Sequence, residues 1–136
     1  MIYVVIDTNV FVSALWTKNN EAPTYRLAQL LLDGRLKPLY NKEILSEYKD
    51  VLNRDKFGFN KADVKDIISS IKEYGTESSR VPFDEPMLDE DDRVFYEVTL
   101  SKDDAYLVTG NLKHFPKTPI VVTPAEMLEI LEQQYV

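Results

Sequence analysis

Apolar positions change their period along this chain, and each change marks an element. Ile2-Tyr3-Val4-Val5-Ile6 is an unbroken β-branched and aromatic run, too short for a helix and apolar on both faces. It predicts a central parallel strand covered on both sides. Asp7-Thr8-Asn9 then opens a helix-like stretch to Trp16. Residues 22–33 read as a second helix, with Pro23 in its first turn and Gly34 as its stop. Leu36 to Tyr40 is a short strand candidate, Asn41 can cap a helix over 42–54, and another helix spans 61–74 before Gly75. A weaker strand is expected near Ser79 to Phe83, and a helix over 92–101 follows an acidic stretch. Ala105 to Thr109 is the second strong strand and Pro119 to Val122 the third. Thr123-Pro124-Ala125-Glu126 is a capping box that starts the last helix. Strands alternating with helices predict an α/β fold with a mainly parallel sheet. No repeat, linker or low-complexity segment interrupts residues 1–136, so one domain is expected.

Composition narrows the chemistry. There is no Cys and one His, His114, which excludes thiolate zinc sites, cysteine nucleophiles and multi-histidine metal sites. The run at Ile2 to Ile6 has no basic flank and is too short for a signal peptide, and no stretch approaches a membrane span. A cytoplasmic protein without a membrane segment is the expectation. The net charge of −7 is uneven: residues 1–80 carry 12 Lys/Arg and 11 Asp/Glu, residues 81–136 carry 4 and 12. An acidic chain is poorly suited to non-specific nucleic-acid binding, which depends on phosphate neutralisation. Asp84, Glu85, Asp89, Glu90, Asp91 and Asp92 are concentrated enough to form either a solvated loop or part of a cation site.

Four positions carry the candidate chemistry. Ligands of open α/β sheets sit outside the carboxyl ends of the strands. Asp7 closes the first strand, where it serves either such a site or the N-cap of the next helix. At 100° per residue, Ile44, Leu45, Tyr48, Val51 and Leu52 form one apolar arc, and Glu47 borders it. Asp92 projects into the apolar arc of its helix, whereas Arg93, Glu97 and Ser101 share the polar side. Favourable charge at a helix N-terminus is the alternative account of Asp92. Asn111 follows the second strong strand through Thr109-Gly110. Carboxylates converging at one edge repel unless a cation sits between them, and hard oxygen donors without His or Cys suit Mg²⁺ or Mn²⁺. His114 reads as a surface or helix-end residue, and Trp16 as packing rather than a base platform.

These motifs together resemble the PIN domain (PilT N-terminal domain), the fold of the VapC-type toxin ribonucleases. V-V-I-D-T-N-V-F-V-S-A resembles the strand ending in the family's first acid, here Asp7, with Thr8 and Asn9 beside it. L-S-E-Y-K-D-V-L resembles the segment of the second acid, Glu47, and D-E-D-D-R-V-F-Y-E-V-T-L that of the third, Asp92. A-Y-L-V-T-G-N resembles the last motif, with Asn111 where the family usually has Asp. The resemblance covers nearly the whole chain and implies a three-layer α/β/α sandwich. It implies Mg²⁺- or Mn²⁺-dependent cleavage of RNA, with Asp7, Glu47 and Asp92 as catalytic metal ligands. Asn111 would be a fourth ligand, supported by Thr8, Asn9, Thr109 and Asp91. It also implies a homodimer and, for a toxin, a cognate antitoxin protein that covers the acidic groove.

Asn111 removes one negative charge from that set. A catalytically silent PIN domain that binds RNA or a protein is therefore the competing expectation. Phosphotransfer through a nucleophilic Asp7, as in haloacid-dehalogenase-like phosphatases, fits less well, because Asn9 stands where a second Asp is needed.

Overall fold

The computed structural model describes residues 1–134. Its first strand, β1 (Tyr3–Ile6), has Val4, Val5 and Ile6 all buried to 1% or less exposure. Successive strand residues point to opposite faces, so both faces of β1 are covered, as the unbroken apolar run requires. The chain continues through α1 (Thr8–Trp16), α2 (Pro23–Leu32), β2 (Leu39–Tyr40), α3 (Lys42–Leu52), α4 (Lys61–Tyr74) and β3 (Thr76–Glu77). A 3-10 turn at Glu90–Asp92 leads into α5 (Arg93–Thr99), followed by β4 (Ala105–Val108), β5 (Val121–Val122) and α6 (Pro124–Gln134).

All strand pairs are parallel: β1 with β4, β4 with β5, and β2 with β3. A bridge between Val4 and Pro38, and a hydrogen bond from the Val4 N–H to the Lys37 carbonyl at 3.0 Å, bring the β2–β3 pair alongside β1. The strands thus lie in the order β3-β2-β1-β4-β5. The helix α5 packs on β1 and β4, while α2 packs against α1, α4 and α6, and α6 also meets β4. The result is the expected three-layer α/β/α sandwich. One continuous core runs from Val4 to Leu128 and includes Phe11, Leu31, Tyr48, Phe95 and Met127.

Helix boundaries follow the local signals. Asn41 accepts from the Ile44 N–H at 2.8 Å, and Asn60 caps α4 in the same way. Thr123 and Glu126 exchange both bonds of the capping box, at 2.9 and 3.1 Å. Gly34 ends the α2 turn at φ +74°, a conformation that favours glycine.

Two expectations are corrected. The strand placed at Ser79 to Phe83 lies instead at Thr76–Glu77. Pro82 has no N–H to give a ladder, and the Val81 and Phe83 N–H groups donate to the Glu97 carbonyl and carboxylate at 3.0 and 2.8 Å. The second correction is Glu97 itself, which is not on a polar face but buried at 6% exposure. Its carboxylate accepts from Arg80 at 2.7 Å, and Arg80 also reaches Glu43 at 2.8 Å. Those bonds, with Arg93 donating to the Phe83 carbonyl, hold the irregular segment before α5 in place.

Candidate functional site at the carboxyl edge of the sheet

The connections after β1 and β4 leave the sheet in opposite directions, toward β2 and β5 respectively. Such a switch point opens a crevice at the carboxyl ends of the strands. Asp7 stands at the end of β1 and Thr109 at the end of β4. The Asp7 N–H donates to the Val108 carbonyl, continuing the ladder. Although Asp7 precedes α1, its carboxylate makes no capping bond. It accepts instead from the Thr109 hydroxyl at 2.8 Å, and the Thr109 oxygen in turn accepts from the Asn111 N–H at 3.0 Å. The carboxylate is aimed across the switch point rather than along the helix.

Glu47 is brought there by its neighbours. Tyr48 is buried between Phe11 and Phe95, and its hydroxyl donates to the carbonyl of Ile6, the residue before Asp7. That bond pins the middle of α3 to the end of β1. The Thr8 hydroxyl, on the other side of Asp7, donates to the half-buried Glu47 carboxylate. Asn9 is exposed, and its side-chain oxygen accepts from the Gly110 N–H at 3.4 Å, a second link between the two strand ends.

Asp92 is the last residue of the 3-10 turn rather than the first of a helix. Like Asp7, it makes no capping bond. Its carboxylate faces Nδ1 of His114 at 3.2 Å, from the 3-10 turn that follows Asn111 (Leu112–His114). This contact was missed in the sequence, where a lone His far from any acid gave no signal. Asp91 is exposed, and its N–H donates to the capping carboxylate of Asp89 at 3.0 Å. Asn111 is half-buried beside Thr109, and its side chain makes no capping bond. Trp16, expected in packing, is 64% exposed at the far end of α1.

The electrostatics are those of a crowded acidic cluster. Burial pushes Asp7 up to about 6, with the Thr109 bond opposing the rise and the Asp92 charge adding to it. Burial also raises Glu47, eased by Thr8 and reinforced by Asp7, Asp91 and Asp89. Asp92 is raised by burial and by Asp89, with His114 opposing, and by Glu47 as well. Each of the three pairs among Asp7, Glu47 and Asp92 is thus close enough to repel. Among the described residues, no three His, Cys, Asp or Glu groups already stand at metal-holding positions. The donor set is nonetheless of the right kind. Its members are hard oxygens, their charges are mutually unfavourable, and a divalent cation between them would relieve that cost.

Comparison with protein families gave a match over residues 3–113, to the PIN domain. The chain belongs to the PIN domain family. Members of this family are typically nucleases that use divalent metal ions. The matched span contains β1 through β4 and every candidate site residue from Asp7 to Asn111. No curated protein and no solved structure gave a significant match. Among the described residues, no helix of this PIN domain is long and apolar enough to cross a membrane.

Proposed function

We propose that this PIN domain is a Mg²⁺- or Mn²⁺-dependent endoribonuclease, the toxin of a type II toxin–antitoxin pair. The observation that carries the reading is that Asp7 and Asp92 each precede a helix yet cap neither, and their carboxylates gather with Glu47 at the switch point. Carboxylates held in this way cost stability unless they are put to use. Asp7, Glu47 and Asp92 hold the cation, with Asn111 as an uncharged oxygen donor. When bound, it supplies activation of water and neutralisation of charge on the phosphoryl oxygen. Thr109 and Thr8 orient Asp7 and Glu47 through their hydroxyls, and His114 fixes the rotamer of Asp92. An antitoxin that covers the acidic groove, and a homodimer, belong to the same proposal, as does a cytoplasmic setting.

The competing reading, a silent module that binds RNA or protein, is favoured by Asn111 and by the net charge of −7. Incubation of purified protein with a mixed single-stranded RNA pool separates them, using Mn²⁺, Mg²⁺ and EDTA beside an Asp7→Asn control. The nuclease reading expects metal-dependent cutting that the control lacks. A folded protein that cuts under no condition overturns it.

A further inference from the structure

We propose that Trp16, Phe57 and Phe59 form a platform on which unpaired RNA bases stack, outside the carboxylate cluster. The inference rests on the reading of RNA as substrate, and three observations carry it.

The first is a ring cluster at the surface, with Trp16 exposed and Phe57 and Phe59 half-buried. Phe57 and Phe59 lie parallel, with centroids 5.1 Å apart and planes 6° from one another. Gly58 between them sits at φ +61°, which turns both rings to the same side. Trp16 stands nearly perpendicular to both, its centroid 5.7 and 6.4 Å from theirs. A large aromatic is ordinarily buried or nearly so, yet Trp16 keeps 64% of its surface open while it packs against the two Phe rings. An indole this open offers surface on which a base can stack, and such stacking tolerates any sequence because every base has a π-face.

The second is charge. Within two residues of these rings stand Lys18, Lys56 and Lys61 against one acid, Asp55, in a chain of net charge −7. All three lysines are exposed, and among the described residues none is in an ion pair. The Lys56 ammonium lies 5.1 Å from the Phe57 ring centre. Cations beside stacked rings match a phosphate backbone whose bases lie on the rings. A second copy of this chain fits less well, because a two-fold contact sets the patch against itself and brings lysines against lysines.

The third is position. The helix α1 begins at Thr8, on Glu47, and ends at Trp16, a rise of about 12 Å at ~1.5 Å per residue. That distance corresponds to roughly three or four stacked nucleotides at ~3.4 Å each. One strand can thus lie on the platform and keep a phosphate at the carboxylates. A duplex hides its base faces and cannot use the platform.

Trp16 is the only tryptophan, so its fluorescence reports this surface directly. A short single-stranded oligouridylate is titrated into the protein in EDTA, where cleavage cannot contribute. Saturable quenching that weakens with added salt is expected, with none from a duplex RNA. By labelled-RNA anisotropy, Phe57→Ala and Trp16→Ala should each weaken binding by about 5- to 100-fold. Lys56→Gln should reduce the salt dependence. Circular dichroism establishes that each variant is folded. An absence of quenching, equal quenching by duplex, or unchanged affinity in both aromatic variants overturns the proposal. So does emission that shifts with protein concentration alone, which assigns the patch to a second copy. Quenching without metal-dependent cutting leaves the platform standing and removes the nuclease reading, and cutting without quenching does the reverse.

Discussion

Asp7 shows most directly how a single residue can be placed at a cost. It is 7% exposed, its one side-chain hydroxyl donor is Thr109, and burial raises it to about 6 from 3.8. The folded state therefore holds the Asp7 proton more tightly than the unfolded chain does. Without metal, the stability linked to Asp7 is fully present below about pH 4, falls as pH rises toward 6, and is flat above it. The whole change amounts to about 3 kcal/mol at ~1.36 kcal/mol per pH unit. Asp7→Asn keeps an oxygen for Thr109 and removes the charge. The variant should melt higher than the parent in EDTA at pH 7, and the difference should vanish near pH 4. Equal melting temperatures at both pH values would show that Asp7 bears no such cost. The same substitution should abolish cutting, so stability and activity move in opposite directions.

At the scale of elements, the site depends on how α5 and its preceding segment are tied down. Asp92 is reached through a stretch with no regular structure from Ser78 to Asp89, and regular hydrogen bonding cannot hold it. Glu97 does so instead, accepting from Arg80 and from the Phe83 N–H, and these partners outweigh burial to keep it below the usual carboxylate range. Glu97→Ala should cost about 2–3 kcal/mol in urea unfolding, since it leaves the part-buried Phe83 N–H and the Arg80 Nε–H without their acceptor. Hydrogen exchange at Val81 and Phe83 should accelerate more than at β1 or β4. Uniform acceleration would place the effect in the whole core rather than in this segment. Arg80 and Glu97 are 17 residues apart in the sequence, and a helical wheel puts Glu97 with Arg93 and Ser101, so nothing local reveals its burial.

For the whole molecule, the charge distribution sets what can bind where. The acidic balance of residues 81–136 is concentrated around Asp92, while the lysines beside Trp16, Phe57 and Phe59 give a smaller basic region. If the cluster holds a cation, its affinity follows the number of ionised ligands. Asn111→Asp should tighten Mn²⁺ binding by calorimetry and raise the metal-dependent gain in melting temperature. It should also melt lower than the parent in EDTA, because it adds a like charge. Unchanged Mn²⁺ affinity would show that position 111 does not face the ion. Asp89 and Asp91, which already press on Glu47, would then be the next positions to vary.

The alternation of apolar runs and amphipathic stretches was enough to determine four of the five strands, the helices and the parallel α/β class, because each depends on neighbours within a turn or a pleat. The caps at Asn41 and Thr123, and the ends of β1 and β4, are equally local. Those strand ends put Asp7 and Asn111 at one carboxyl edge. Only tertiary structure showed that Asp7 and Asp92 make no capping bond and that their charges press on one another, since a cap and a cluster use the same residue at the same position. It alone joined Tyr48 to Ile6, His114 to Asp92 and Arg80 to Glu97, and it left Trp16 in solvent. Those outcomes turn on which distant groups compete for a donor or a surface, and a periodicity read along one segment contains no term for that competition.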